Sequence, residues 1–392
     1  MTGCSSVPTA PARSGAAGGE GSRSCQACAH CRGRPRWCEN GRWQVQDRLR
    51  VAVATPLSEE LCGLIEQREP RIELVRDQEL LPPVRYPADH SGDPSFVRTP
   101  EQQERFEKML AEAEALYGIP DDKPAELRRA VEANPGLRWV QTMAAGGGAH
   151  VKAAGLTQEQ LDRVTFTTSA GVHAAPLTEF ALLGLLAGAK NLPKLLADKA
   201  SRRWDRWPMG QLREQTVLVV GLGGIGSEVA RVLAALGATV IGTSRRGEPV
   251  DGVDELVHPD ELAAVVPRVD AVVVTLPGTA ATEKLVSAEV LAAVRPATTL
   301  VNVGRGTVID EEALVEALGD GRIGFAALDV FAAEPLDPAS PLWDLPNVLI
   351  SPHTATLTPA EDRRIAELFA ENAGRLLDGR PLRNVVNTVE FY

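Results

Sequence analysis

The fold of this chain is decided by the stretch Thr216-Val217-Leu218-Val219-Val220-Gly221-Leu222-Gly223-Gly224-Ile225-Gly226. Its β-branched and apolar start predicts a buried strand, and the periodicity of Ile225–Leu236 predicts a helix directly after it. Between them, Gly221 suits a tight turn, Gly223 close approach to a pyrophosphate and Gly226 close helix packing. The N-terminus of the helix would present N–H groups and a positive dipole to the phosphates. This context favours a dinucleotide site over a glycine-rich turn in a nucleotide-free domain.

Strands and helices keep alternating on the C-terminal side of this unit. Apolar strands are predicted at 239–242, 271–275, 299–303, 324–330 and 347–350, and helices at 287–294 and 311–318. Continuous apolar strands separated by helices are typical of a parallel sheet that helices cover on both faces.

A second α/β pattern lies on the N-terminal side. Leu49–Ala54 and Leu137–Gln141 predict strands, and Thr99 is placed as the N-cap of a helix predicted over Pro100–Tyr117. Leu177–Lys190 has helical periodicity and is very apolar, which predicts a buried connecting helix. A chain of 392 residues is long enough for two domains.

Composition and charge exclude several classes of protein. The formal net charge is −11, so the chain has no overall attraction for nucleic acid. The longest apolar candidate, Phe180–Ala189, falls short of the ~18 residues that a membrane span needs. The N-terminus lacks the apolar core of a signal peptide. We therefore expect a soluble, cytoplasmic protein that binds neither nucleic acid nor membrane.

Residues 1–46 differ from all that follows. They are rich in Gly, Ser, Ala and Arg, which predicts a disordered extension. Cys25, Cys28, Cys31 and Cys38, with His30, carry thiolates enough for one zinc ion or an iron–sulfur cluster. Their spacing lacks the two separated pairs of a zinc ribbon, so a metal-linked module for binding a partner stays an alternative. No metal is expected in the catalytic site.

The end of the second strand distinguishes NAD from NADP. An NAD site normally has an acidic residue ~20 residues beyond the first glycine, where it bonds the ribose 2′-hydroxyl. Here Ser244 occupies that position, and Arg245 and Arg246 follow. A guanidinium can pair with a 2′-phosphate through two hydrogen bonds. The alternative is that the two arginines are a solvated pair on a surface turn with no role in cofactor binding. We predict that NADP(H) is preferred and that NAD(H) is possible.

Three chemically reactive side chains follow strands of the predicted sheet. Arg305 can grip a substrate carboxylate and polarise the neighbouring carbonyl. His353 can give the alkoxide its proton, and Glu334 can orient the imidazole and favour its charged form. Ligands bind at the carboxyl ends of strands in open α/β sheets, so these three residues predict reduction of a small anionic 2-oxo acid. Taken one at a time, each of these residues could instead be an ordinary surface or loop residue without a catalytic role.

Four segments, 219–226, 301–306, 326–335 and 351–355, resemble the signatures of the D-isomer-specific 2-hydroxyacid dehydrogenase family. That family includes phosphoglycerate, glyoxylate/hydroxypyruvate and formate dehydrogenases. The resemblance covers about residues 48–388, and it is strongest from 170 to 356. It implies that Arg305, Glu334 and His353 are the catalytic Arg, Glu and His.

The resemblance also implies an architecture with two Rossmann-like domains, parallel sheets flanked by helices and a disordered N-terminal extension. Residues 47–174 would form the first part of the substrate domain, 175–356 the dinucleotide-binding domain, and 357–388 the returning part of the substrate domain. A homodimer is usual in the family. Trp204 and Trp207 are candidate interface anchors, and the alternative is that they cap the domain's own core.

The family pattern extends to further site residues. The expected cofactor-binding residues are Gly221, Gly223, Gly224, Ile225, Gly226, Ser244, Arg245, Arg246, Leu276, Pro277, Val303 and Asp329. Asp329 would contact the nicotinamide amide. The expected substrate-binding residues are Ala145, Gly146, Gly147 and Arg305. The glycines at 146–148 depart from the usual Ala-Gly-Val-Asp loop, and 82–100 also lies outside the common pattern.

The resulting prediction is an enzyme that transfers a hydride between NAD(P)H and C2 of a small 2-oxo or 2-hydroxy acid of the D-isomer, with substrates like glyoxylate or hydroxypyruvate favoured. The rival hypothesis is a dinucleotide-sensing regulator, similar to the corepressor relatives of the family, that has no physiological turnover. Cofactor oxidation with a panel of 2-oxo acids separates the two.

Overall fold

The structure is a computed structural model that describes residues 48–389 and Phe391, with the backbone of the paired strands Cys38–Glu39 and Arg42–Trp43. The described residues from Arg48 onward form a compact unit. Apart from the backbone of those two strands, residues 1–46 lie outside the described residues, and with them the predicted disorder and the side chains of the candidate metal ligands.

A parallel five-stranded sheet occupies the N-terminal part of this unit, in the order β2-β1-β3-β4-β5. Its strands are β1 (Leu49–Val53), β2 (Ile72–Val75), β3 (Ala115–Tyr117), β4 (Trp139–Gln141) and β5 (Thr165–Thr167). The helices between them are α1 (Glu59–Arg68), α2 (Pro100–Ala111), α3 (Pro124–Ala133), α4 (Gly148–Ala154) and α5 (Gln158–Arg163).

Two helices connect this part to the next, α6 (Ala174–Ala189) and α7 (Leu192–Ala200). Helix α6 packs closely because it carries glycine where it meets the second sheet. A Cβ at Gly184 would lie 2.7 Å from the Ala327 Cβ, and one at Gly188 would lie 2.1 Å from the Thr299 Oγ1. The helix is confirmed but is buried on one face only, since Leu183 is 51% exposed.

A parallel seven-stranded sheet follows, in the order β8-β7-β6-β9-β10-β11-β12. Its strands are β6 (Thr216–Val220), β7 (Thr239–Thr243), β8 (Glu255–Val257), β9 (Ala271–Val274), β10 (Thr298–Asn302), β11 (Ile323–Leu328) and β12 (Val348–Ile350). The helices here are α8 (Gly224–Ala235), α9 (Leu262–Val265), α10 (Ala288–Ala293) and α11 (Glu311–Gly319).

Helices cover both faces of the seven-stranded sheet. Along β6, Val217 and Val219 enter one buried apolar cluster and Leu218 and Val220 enter the other. The first six strands follow the doubly wound order in which a dinucleotide binds where the strand order reverses. The predicted α/β architecture with two parallel sheets is confirmed.

The last helix, α12 (Glu361–Leu377), returns to the five-stranded sheet. Its Phe369 stacks on Trp139 at 4.5 Å and meets the edge of Tyr117 at 5.1 Å. The end of the chain is therefore part of this core. The domain boundaries at 47–174, 175–356 and 357–388 stay a prediction.

The helix predicted over Pro100–Tyr117 was too long. The capping box is present: the Thr99 hydroxyl accepts from the Gln102 N–H, and the Gln102 side chain accepts from the Thr99 N–H. The helix ends at Ala111, and Ala115–Tyr117 becomes β3, which pairs with both β1 and β4. Two-sided strand pairing outweighs the helical propensity of this segment.

Within the described residues, no single helix combines the length and hydropathy that a membrane crossing needs; only α6 and α7 together do, and they meet at 63°.

Candidate active site

The glycine turn between β6 and α8 has the geometry of a phosphate cradle. Gly221 has a φ of +101°, which favours glycine, and a Cβ at Gly226 would lie 1.8 Å from the Gly221 carbonyl oxygen. A Cβ at Gly223 or Gly224 would instead meet open space. The N-cap of α8 is Gly223, and no side chain caps it. The backbone N–H groups of the first turn, including Ile225, are therefore offered to an anion.

The turn after β7 holds the three residues predicted to choose between NAD and NADP. The Ser244 hydroxyl accepts from the backbone N–H groups of Arg246, at 3.2 Å, and Gly247, at 3.1 Å. Ser244 is thus occupied in shaping the turn. Arg245 and Arg246 are exposed at the carboxyl end of β7, next to β6 and its glycine turn.

The residues expected beside the nicotinamide lie after neighbouring strands. The buried Val303 donates its N–H to the Val274 carbonyl at 3.0 Å, which ties the end of β10 to the end of β9. A Cβ at Gly304 would lie 2.5 Å from the Leu276 carbonyl oxygen, so Leu276 and Pro277 run beside this strand end.

Asp329 is a buried carboxylate with one oxygen fully used. Its Oδ1 accepts from the Ser351 hydroxyl at 2.7 Å and from the N–H groups of Thr354 and Ala355 at 3.0 Å each. Its Oδ2 is buried and has no hydrogen-bond partner in the described structure. A buried acceptor without a donor is costly, so this atom fits an amide group supplied by a bound cofactor.

Glu334 and His353 form a hydrogen-bonded pair. The Glu334 Oε2 lies 2.8 Å from the His353 Nδ1, and the Glu334 Oε1 accepts from the Phe331 N–H at 3.0 Å. A carboxylate can only accept, so the His353 Nδ1 carries a proton. The Nε2 is therefore the nitrogen left for a substrate.

The predicted substrate loop, which follows the five-stranded sheet, meets Arg305, which follows strand β10 of the seven-stranded sheet. A Cβ at Gly146 would lie 2.7 Å from the Arg305 Nη2, and the Arg305 Nη1 donates to the Gly304 carbonyl at 2.8 Å. Gly147 packs against Thr142 instead, because a Cβ there would lie 1.8 Å from the Thr142 Oγ1. The glycines at 146 and 147 thus serve close packing.

A cavity of about 160 Å³ lies between Arg305, His353 and the loop at Ala145. Arg305, His353 and Ala145 line it, and Glu334 lies behind His353. The open glycine turn and the unpartnered Asp329 oxygen fit a dinucleotide cofactor. Among the residues that the structure describes, no group of three His, Cys, Asp or Glu side chains could hold a metal ion.

Comparisons with known proteins identify the family of this chain. Residues 182–355 match the family model described as D-isomer specific 2-hydroxyacid dehydrogenase, NAD binding domain. A glyoxylate reductase of Aeropyrum pernix is 32% identical over 300 residues, covering 72% of this chain and 86% of that protein. A D-3-phosphoglycerate dehydrogenase of Mycobacterium tuberculosis is 35% identical over 224 residues, covering 56% of this chain but only 41% of that protein. The chain belongs to the D-isomer specific 2-hydroxyacid dehydrogenase family.

Solved structures of the family superpose on most of the chain. An NADPH-dependent glyoxylate/hydroxypyruvate reductase from Sinorhizobium meliloti, in complex with NADP and sulfate, gives a TM-score of 0.69 at 26% identity, covering 88% of this chain and all of that one. A D-isomer specific 2-hydroxyacid dehydrogenase from Xanthobacter autotrophicus, in complex with NADPH and MES, gives 0.70 at 28% identity with the same coverage. The protein is a nicotinamide-dinucleotide-dependent oxidoreductase that acts on a 2-hydroxy acid.

Several residues that line this dehydrogenase's cavity were not predicted from the sequence as site residues. They are His90, Asp122, Met143, Ala144, His150, His173, Thr356 and Glu361. One signal was available: the chain has six histidines, and four of them line the cavity. The rest come from segments far apart in the chain, which no spacing rule connects.

Proposed function

We propose that this dehydrogenase reduces a short 2-oxo acid of the glyoxylate or hydroxypyruvate type to the D-2-hydroxy acid and that it prefers NADPH. The observation that carries the proposal is the single cavity in which Arg305 and His353 face one space. An anionic oxo acid needs a fixed cation for its carboxylate and a proton donor for its carbonyl oxygen, and these are the two groups present.

The bound nicotinamide supplies the hydride for reduction. The Arg305 guanidinium pairs with the substrate carboxylate, and the loop at Ala145 and Gly146 closes the other side of that position. His353 donates from Nε2 to the oxygen on C2 as charge develops there, while Glu334 holds Nδ1–H at 2.8 Å and keeps the ring in place. In the oxidation direction the same nitrogen accepts the proton.

The NADPH preference rests on the turn after β7. A carboxylate at position 244 would repel a 2′-phosphate, and Ser244 removes that repulsion. Arg245 and Arg246 supply charge that can pair with the phosphate. Two solved relatives are described with NADPH or NADP, which supports the same preference here.

The decisive experiment is a steady-state screen of the purified full-length chain with glyoxylate, hydroxypyruvate, pyruvate and 2-oxoglutarate, each with NADPH and with NADH. We expect turnover of the short acids and a higher kcat/KM with NADPH. Chiral chromatography of the product should find the D-isomer wherever C2 is a stereocentre. No turnover with any acid would favour a dinucleotide-sensing regulator.

We also propose a homodimer, in which the apolar face of α6 and α7 meets a second copy of the chain. Leu183 and Leu186 on α6 and Leu196 on α7 are exposed, and Trp204 just beyond them is 92% exposed. The alternative for Trp204, capping the domain's own core, does not agree with that exposure. Large apolar side chains left exposed on adjoining helices are typical of an interaction surface. The cytoplasmic location stays a prediction from the sequence.

A further inference from the structure

A second polar cluster lies in the same cavity as Arg305 and His353. It consists of His90, His173 and Glu361, which all line the cavity. They come from three separate segments: the Pro-rich loop before α2, the bend before α6 and the first residue of α12. Nothing in the hydride-transfer scheme uses them.

The two imidazoles share one carboxylate oxygen. The Glu361 Oε1 lies 3.0 Å from the His173 Nε2 and 3.3 Å from the His90 Nε2. Since an ionised carboxylate only accepts, both nitrogens donate to it. Burial raises the pKa of Glu361, but the hydrogen bonds from His173 and His90 outweigh burial and leave the pKa below its ordinary value. Glu361 is therefore charged at neutral pH.

Two polar atoms of the cluster have no partner. The Glu361 Oε2 and the His173 Nδ1 are both buried without a hydrogen bond in the described structure. Their side chains are only 5% and 7% exposed. Buried acceptors in native structures normally find a donor, so these two indicate a group that arrives with the ligand.

The loop that carries His90 is pinned in place. Asp89 accepts from the Arg85 side chain at 2.7 Å and from the Gly92 N–H at 3.1 Å, and the Ala88 N–H donates to Asp362 at 3.2 Å. These bonds attach the loop to the start of α12. His90 is therefore held against Glu361 before any ligand binds.

A metal is a poor occupant for this cluster. Both Nε2 atoms lie at hydrogen-bond distance from one carboxylate oxygen, so they point at that oxygen and leave no room for a shared ion. A second anionic group on the substrate is also disfavoured, because Glu361 and the cavity-lining Asp122 are acidic. A neutral hydrogen-bond donor suits the unpartnered oxygen.

We propose that His90, His173 and Glu361 form a subsite that reads a hydroxyl group on the substrate's side chain, with Glu361 as acceptor and the histidines as its supports. The subsite rests on the proposed function, because it acts on the 2-oxo acid that Arg305 and His353 hold. It selects hydroxylated 2-oxo acids over their deoxy analogues and over acids with a second carboxylate. Glu361 is a specificity residue here, and the two histidines are positioning residues.

The test compares kcat/KM for hydroxypyruvate and pyruvate, which differ by one hydroxyl, in the wild-type chain and in Glu361→Met. A hydrogen bond to a charged group corresponds to a preference of about 10- to 100-fold for hydroxypyruvate in the wild type. Glu361→Met should bring the ratio close to one. Glu361→Gln, which keeps the polar contacts to the histidines but loses the charge, should give an intermediate ratio and serves if the first variant does not fold.

Glyoxylate is the internal reference because it has no third carbon. Its kcat/KM should fall less in Glu361→Met than that of hydroxypyruvate. The surface variant His258→Gln should leave every ratio unchanged. A wild-type ratio near one, or a ratio that Glu361→Met leaves unchanged, would overturn the subsite. Absence of turnover with all three acids would instead contradict the proposed function.

Discussion

At the scale of single residues, His353 shows how the fold positions one reactive side chain. Its φ is +55°, in the left-handed region, which costs an L-residue ~1–2 kcal/mol. The His353 N–H donates to the Asp329 carbonyl at 2.9 Å, and the Asp329 carboxylate takes the next two backbone N–H groups. A buried carboxylate thus holds the backbone turn that aims the imidazole. Backbone strain of this kind is typical of functional sites.

Replacement of His353 by alanine should lower kcat by ~10²–10⁴-fold, because the alkoxide then loses its proton donor. Affinity for NADPH, measured by quenching of the protein's fluorescence, should change by no more than a factor of about two to three. The reason is that His353 is not among the residues expected to bind the cofactor. His258→Ala, a surface histidine, is the matched control. Unchanged kcat in His353→Ala would remove this residue from the mechanism.

Cys62 offers a second test at this scale. The thiol is buried in α1, and burial raises its pKa to about 11. Since a raised pKa keeps the thiol neutral at pH 8, the nucleophilic thiolate is scarce there. Iodoacetamide should leave the Cys62 peptide unmodified in the native protein and label it in urea, as mass spectrometry of a digest would show. Equal labelling in both states would contradict the burial.

At the scale of elements, the proposed preference for NADPH depends on the turn after β7. The hydroxyl of Ser244 closes the turn through two backbone N–H groups, so Arg245 and Arg246 stand at the strand end. The double variant Arg245→Ala/Arg246→Ala should raise KM for NADPH by roughly 10- to 100-fold, from the loss of charged hydrogen bonds, and should change KM for NADH by much less. Arg231→Ala on α8 is a control. Equal losses with both cofactors would refute pairing with the 2′-phosphate.

A substitution in helix α12 can measure how much this helix stabilises the five-stranded sheet. Phe369 lies between Trp139 and Tyr117 in the core. Phe369→Ala should lower the free energy of unfolding by ~3–5 kcal/mol, because it removes a buried aromatic ring and leaves a cavity. Urea unfolding followed by near-ultraviolet circular dichroism measures this. Leu236→Ala, at the exposed C-cap of α8, should change stability far less. A loss in Phe369→Ala no larger than that of Leu236→Ala would contradict the stabilising role of Phe369.

At the scale of the whole molecule, the proposed dimer explains why a connecting helix is apolar where it faces solvent. Leu183→Asp with Leu186→Asp should halve the mass measured by light scattering, from twice 41.8 kDa to that of one chain. A charge buried in an apolar interface is strongly unfavourable, which is the reason for the effect. Leu236→Asp is the matched control. A wild-type mass of one chain would contradict the dimer.

Much of the second sheet could be predicted from local pattern. Its continuous apolar strands and the glycine turn at 221–226 satisfy rules that neighbouring residues enforce by themselves. The first sheet was harder. Strands such as Ile72–Val75 and Thr165–Thr167 are short, and Ala115–Tyr117 is shorter than the helical pattern that runs into it. Such strands form because they pair on the sheet, and that pairing depends on distant residues.

The amino-acid sequence by itself determined the dinucleotide fold, the family and the candidate set Arg305, Glu334 and His353, because each depends on residue types at short spacing. Tertiary structure alone decided that Gly146 meets Arg305 and that Asp329 holds the loop of His353. It also decided that His90 and His173 share one carboxylate oxygen of Glu361. These contacts join segments up to 271 residues apart. Packing, rather than any local pattern, brings such segments together, and the specificity of the cavity depends on them.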